Sequence, residues 1–168
     1  AWRDPAIAGV VAARGGYGSM QILPYLDPAE IRQSPKVFLG YSDLTAILTF
    51  LTSQCGMVGF HGPTVVGRLG RGPDGYDRDS LVRVMMQAKP AGELTAGRLE
   101  TVRAGEATGI LVGGTLTQLL ASLATPFAFA PPAHCVLFLD EVGERPYRLD
   151  RMLTQLRLSG VLARVSAV

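Results

Sequence analysis

The chain has 168 residues, 48% of them apolar and 18% charged, and its mean hydropathy is +0.24; this excludes intrinsic disorder, which needs low hydrophobicity and high net charge. The formal net charge is +2, and the basic residues, all arginine except Lys36 and Lys89, are scattered and never alternate with aromatics. That distribution argues against a nucleic-acid partner.

In chain order, Ala1 to Pro5 reads as the tail of a helix and then a turn, with no signal segment. Ile7 to Ala13 is an apolar run suited to a strand buried on both faces. Gly15-Gly16-Tyr17-Gly18 follows as a loop able to adopt positive φ. A short helix is predicted over Ser19 to Leu26, and Asp27 caps another that opens at Pro28, with Glu30 three residues after the cap. Lys36 to Gly40 reads as a second buried strand, Tyr41-Ser42-Asp43 as a turn, and Leu44 to Gln54 as an apolar helix closing near Gly56. Met57 to Phe60 is a third strand, 68–78 a glycine-rich charged loop, and Asp79 to Ala88 a helix.

Past Lys89-Pro90-Ala91-Gly92 the texture changes, which suggests a boundary. Short strands are predicted at Glu93 to Thr95 and Leu99 to Val102, then Ile110 to Val112 running into Gly113-Gly114, with a helix from Leu116 to Leu123. Val136 to Leu139 is a strand ending in Asp140-Glu141, and Tyr147 to Leu158 an amphipathic helix stopped at Gly160. Arg164 to Val168 reads as a strand cut short, so both ends are expected to be internal to a longer protein. The charge-free stretches 44–67 and 107–139 are long enough for membrane spans, but glycine, histidine and proline interrupt them, and they read as buried strand–turn–helix units. Cys55 and Cys135 read as buried reduced thiols, in keeping with a reducing compartment.

Four segments can carry chemistry. In Phe38-Leu39-Gly40-Tyr41-Ser42-Asp43-Leu44 a buried strand enters a tight turn with serine at its apex, as in a nucleophile elbow. The Asp43 N–H would there face a developing oxyanion. The usual second glycine is replaced by Leu44, and Ser42 or Asp43 reads equally as a helix cap. Arg14-Gly15-Gly16-Tyr17-Gly18 exposes backbone N–H groups able to hold an anion, or is simply a tight turn. Asp140, Glu141 and Glu144 stand after a strand, where acids orient a catalytic histidine; the alternative is a surface network with Arg145, Arg148 and Arg151. Gly113-Gly114-Thr115-Leu116 opens a helix, as a carboxylate site or for close packing. His61 and His134 lack metal-ligand spacing, and neither is a convincing base for Ser42.

Together, Ala13-Arg14-Gly15-Gly16-Tyr17-Gly18, Gly40-Tyr41-Ser42-Asp43-Leu44-Thr45-Ala46, Gly113-Gly114-Thr115-Leu116 and Leu137 to Arg148 resemble, in order and spacing, the LD-carboxypeptidase family of serine peptidases. That family includes muramoyl-tetrapeptide carboxypeptidases and the microcin C self-immunity proteins. The resemblance implies an α/β fold: an N-terminal parallel-sheet domain, Rossmann-like or flavodoxin-like, with the nucleophile elbow, then the start of a second α/β domain. The boundary near residue 90 gives domains of 1–90, its first elements missing, and 91–168.

The resemblance also implies a Ser-Glu-His triad acting on cytoplasmic murein peptides in peptidoglycan recycling, without cofactor, metal or membrane, in a protein that is usually a homodimer. Ser42 matches the family serine. Asp43 and Gly15 or Gly16 would form the oxyanion hole, and Arg14 and the Gly113–Gly114 segment are the candidates for the substrate carboxylate. The family acid falls on Asp140, which departs from the usual Glu, so Glu141 is the rival. The family histidine is expected beyond residue 168. An immunity-type hydrolase of peptidyl or aminoacyl nucleotides and a non-catalytic segment are the alternatives.

Overall fold

The computed structural model describes residues 1–93 and 100–168. Strands β1 (Gly9–Val11), β2 (Val37–Gly40) and β3 (Phe60–His61) form one sheet in that order, and β4 (Leu111–Thr115), β5 (Cys135–Asp140) and β6 (Val165–Ala167) form a second. Every pairing is parallel, with Gly40 opposite His61 and Thr115 opposite Asp140 at the carboxyl ends of the strands. The helices are α1 (Ser19–Ile22), α2 (Pro28–Gln33), α3 (Thr45–Cys55), α4 (Arg78–Met86), α5 (Leu116–Ser122) and α6 (Pro146–Leu158). This is an α/β fold, as the family resemblance implies.

Helix α3 is apolar on most of its circumference because it is covered on most sides. Ala46, Ile47, Leu48, Phe50 and Leu51 pack with Leu23, Ile31 and Phe38 in one core. Leu116, Leu119, Leu137, Leu156 and Val161 form the other. Each fully buried leucine contributes about 1.5–3 kcal/mol relative to exposure. Gly56, at φ 64°, ends α3 in the left-handed conformation that glycine adopts without penalty. The two sheets meet where α3 begins: the Thr115 N–H donates to Thr45 Oγ1 at 3.1 Å. A Cβ on Gly114 would stand 2.5 Å from Thr45 Cγ2, so the contact needs a glycine.

Several boundaries differ from expectation for identifiable reasons. The first strand is shorter, and instead of being buried on both faces its Gly9 and Val11 are exposed. It pairs with β2 alone and forms the edge of the described sheet. The third strand is displaced to Phe60–His61, where Leu39 and Gly40 offer ladder partners. Gly113 and Gly114 lie within β4 rather than at a helix start; a side chain on Gly113 would collide with the Phe138 carbonyl, so the glycine lets β4 lie against β5. Asp27 caps α2 as expected, accepting from Ala29 N–H at 2.8 Å. Glu30 does not complete a capping box and instead takes Arg3 in a two-pronged pair at 2.7 and 2.8 Å. Of the strands expected at 93–95 and 99–102, residues 94–99 lie outside the described residues, and the remainder is not strand. Cys55 and Cys135 are buried and free.

Candidate active site

Strand β2 delivers Ser42 from its carboxyl end. The residue has φ 61°, left-handed and uncommon for anything but glycine, and a single 3-10 turn over Ser42–Leu44 leads from it into α3. Strain at a strand-to-helix serine is the geometry of a nucleophile elbow, because it raises the hydroxyl clear of the flanking backbone. An ordinary helix cap sits in the β region, so the capping alternative does not describe Ser42. The turn stays tight because Gly40 has no side chain: a Cβ there would be 2.9 Å from Leu44 Cβ and 3.3 Å from Ala12 Cβ.

The glycine-rich loop stands against this serine. A Cβ on Gly15 would lie 3.0 Å from Ser42 Cβ and 3.2 Å from Ser42 Oγ, so loop backbone rather than side chain faces the hydroxyl. Among the described residues, the N–H groups of Gly15 and Gly16 have no hydrogen-bond partner. The exposed Arg14 folds its guanidinium over Gly16. Arg14, Gly16, Tyr17, Gln21, Asp43 and Leu44 border an open cleft of about 920 Å³. The Asp43 side chain does not face the cleft as a free acid: its buried Oδ2 accepts from Ser19 N–H at 3.0 Å and Ser19 Oγ at 2.7 Å.

The second sheet brings Asp140 toward the end of β3 in the first. Asp140, at the end of β5, stands 3.4 Å from Thr115 Oγ1, which donates to its Oδ2, and 4.0 Å from His61 Nε2. His61, 27% exposed in its side chain, projects from the end of β3 and meets Phe138 and Tyr41 edge-on, with ring centroids 5.0 and 6.2 Å away. Its partial burial holds the imidazole pKa below the ordinary 6.5, and nearby Asp140 opposes that shift without cancelling it. Glu141 turns away: its Oε2 accepts from Thr117 N–H at 2.9 Å and Thr117 Oγ1 at 2.6 Å, at the start of α5. Glu144 pairs with Arg148 at 2.7 Å, so only this part of the expected surface network forms. Arg151 lies over the Tyr147 ring instead. His134 is exposed, at φ 59°. Among the described residues no cluster could hold a metal ion, and no helix is long and apolar enough to cross a membrane.

Sequence reasoning missed two relationships. Nothing local places His61 beside Asp140, since that contact arises from the meeting of two sheets. The Ser19–Asp43 pair had a weak signal in a serine directly after the glycine loop, at the start of a helix.

Fold and geometry define an α/β protein built around a strained strand-end serine with a glycine-rich loop against it. Models of the LD-carboxypeptidase N-terminal and C-terminal domains match residues 1–62 and 108–168. A murein tetrapeptide carboxypeptidase of Pseudomonas aeruginosa is 36% identical over 160 residues, covering 90% of this chain and 51% of the relative. The crystal structure of muramoyltetrapeptide carboxypeptidase from Oxalobacter formigenes matches with a TM-score of 0.83 and 32% identity, covering 97% of this chain and 55% of that one. The microcin C7 self-immunity protein of Escherichia coli is 23% identical over 193 residues, covering 98% and 56%. The chain belongs to the LD-carboxypeptidase family. It spans about half the length of the curated relatives it matches.

Proposed function

We propose that the protein is a serine LD-carboxypeptidase that releases the terminal D-Ala from murein tetrapeptides in cytoplasmic peptidoglycan recycling. The observation that carries this reading is Ser42, held at φ 61° at the end of β2 with the Gly15 backbone against its side chain. Ser42 Oγ attacks the carbonyl of the L,D-peptide bond and gives its proton to a histidine supplied from outside these residues. The N–H groups of Asp43 and of Gly15 or Gly16 stabilise the oxyanion. As the tetrahedral intermediate collapses, the histidine passes the proton to the departing D-Ala amine, and water then releases the acyl group from Ser42. Arg14, exposed on the cleft beside the loop, is the cation offered to the substrate carboxylate.

Two features support Asp140 as the acid of this mechanism. It stands at the end of β5 on the side that meets the first sheet, and among the described residues its Oδ2 has only the 3.4 Å contact from Thr115 and the 4.0 Å approach of His61. Glu141 is already engaged by Thr117. Gly113 and Gly114 are packing residues in this reading, since both sit where a side chain would strike a neighbour. The deciding test is Ser42→Ala in the full-length protein, with D-Ala release from a murein tetrapeptide measured. Abolished release is expected, and wild-type release refutes the nucleophile. A second reading, hydrolysis of a peptidyl or aminoacyl nucleotide, draws on the similarity to the microcin C7 self-immunity protein. Turnover of such a nucleotide without turnover of the tetrapeptide would select it.

A further inference from the structure

The chemistry proposed above uses the main-chain N–H of Asp43 and gives its carboxylate nothing to do. That carboxylate is nevertheless buried, with Asp43 5% and Ser19 8% exposed. Burying a charge is costly unless hydrogen bonds replace its water. Among the described residues they come from one residue: Ser19 gives Asp43 Oδ2 both its N–H, at 3.0 Å, and its Oγ–H, at 2.7 Å. Ser19 directly follows the glycine-rich loop, and Asp43 directly follows the serine of the elbow.

The two ends of the loop are therefore held differently. At its β1 end, Ala12 N–H donates to the Leu39 carbonyl at 2.9 Å, and the carbonyls of Ala12 and Ala13 accept from Val65 and Val66 N–H at 3.1 and 2.8 Å. At its far end the Asp43 carboxylate ties it to the elbow. Between these anchors Gly15 and Gly16 make no hydrogen bond among the described residues. Gly15 sits at the limit of close approach to Ser42, with 3.0 Å left between its absent Cβ and the serine Cβ.

Building on the serine-peptidase reading, we propose that the Asp43 carboxylate is a positioning group for the oxyanion hole. Through Ser19 it fixes the loop, so that main-chain donors from two separate strand ends face one oxygen. One residue thus serves twice, its N–H as a donor and its side chain as the clamp on the other donor. Misplacement of a catalytic donor by about 1 Å costs on the order of 10²-fold in rate.

The test compares Ser19→Ala, which removes the hydroxyl and leaves the N–H, with Asp43→Asn in the full-length protein. Steady-state turnover of a murein tetrapeptide is measured alongside inhibition by a tetrapeptide phosphinate, tetrahedral at the scissile position. Each variant is expected to lose about 10- to 100-fold in kcat with KM nearly unchanged, and to bind the phosphinate more weakly by a similar factor. Wild-type kcat in both variants overturns the inference, and so does a fallen kcat with unchanged phosphinate affinity. Near-ultraviolet circular dichroism checks the fold, and Ser19→Ala carries the test alone if Asp43→Asn does not fold. Ser42→Ala run in parallel separates the two levels: full activity there sinks the serine reading itself. An inactive Ser42→Ala beside wild-type Ser19→Ala and Asp43→Asn sinks only the positioning role.

Discussion

His61 Nε2 stands 4.0 Å from Asp140 Oδ2, joining the carboxyl end of β3 in one sheet to that of β5 in the other. The imidazole lies among the rings of Tyr41 and Phe138, and this partial burial holds its pKa below 6.5 although Asp140 pulls the other way. The folded chain therefore binds this proton less readily than the unfolded chain. Stability from neutral His61 is complete above about pH 6.5 and is lost as pH falls through the folded-state pKa, because the unfolded state then holds the extra proton. Thermal midpoints taken at about pH 7.5 and about pH 5.5 should differ less in His61→Gln than in the wild type. An unchanged difference would show that His61 titrates alike in both states.

The two acids after β5 should separate cleanly. Asp140→Asn is expected to lower kcat for tetrapeptide hydrolysis in the full-length protein by about 10³- to 10⁴-fold with little effect on folding, since an amide cannot hold a histidine in the required tautomer. Glu141→Ala should do the reverse. It strips Thr117 of a carboxylate at the start of α5, and should cost about 1 kcal/mol of stability, as loss of a helix cap does. Urea unfolding and kcat on both variants check the pair. Loss of activity in Glu141→Ala alone would transfer the role, and loss in neither would make the acids of this loop structural.

The contrast between these neighbours shows how far the sequence could be read. Strand–turn–helix order, the cap at Asp27 and the serine turn are local, written in spacing, glycine and apolar runs, and the structure has each of them. What Asp140 and Glu141 touch depends on strand alternation at the end of β5 and on what the other sheet presents there. Thr45 and Thr115, which join the sheets, are 70 residues apart. The first strand misled for a related reason: an apolar run reads as buried on both faces, but here only the face carrying Val10 packs against the core, and the face of Gly9 and Val11 is left exposed. Gly113-Gly114 could be read either as a carboxylate site or as close packing, because glycines before a helix look alike whether they open it or let two strands and a helix approach.

Glycines at the serine should fail in different ways. In Gly40→Ala the new methyl meets Leu44 Cβ at 2.9 Å and Ala12 Cβ at 3.3 Å inside a packed turn, so a loss of about 1–3 kcal/mol is expected from overpacking. In Gly15→Ala the methyl meets Ser42 Cβ at 3.0 Å and Oγ at 3.2 Å. The loop can retreat from the serine at little cost in stability, but its N–H groups retreat with it. A fall in kcat on the order of 10²-fold with a nearly unchanged melting temperature is the expected outcome. Melting curves and tetrapeptide turnover on both variants would show it, and a Gly15→Ala enzyme with full kcat would remove the loop from the site.

Ser42 itself should be a place where stability has been given up for geometry. A non-glycine residue held at φ 61° stores strain of about 1–3 kcal/mol, and nothing in the fold of β2 and α3 needs a hydroxyl there. Ser42→Gly relieves that strain but frees the unfolded chain, which takes back some tenths of a kcal/mol up to about 1. A net gain of about 1 kcal/mol is expected for Ser42→Gly, whereas Ser42→Ala, which keeps the Cβ and the strain, should melt close to the wild type. Both variants should be inactive. Denaturant unfolding of the three proteins decides it: if Ser42→Gly is no more stable than Ser42→Ala, the turn is not strained at the serine, and the hydroxyl is not being held up by the backbone.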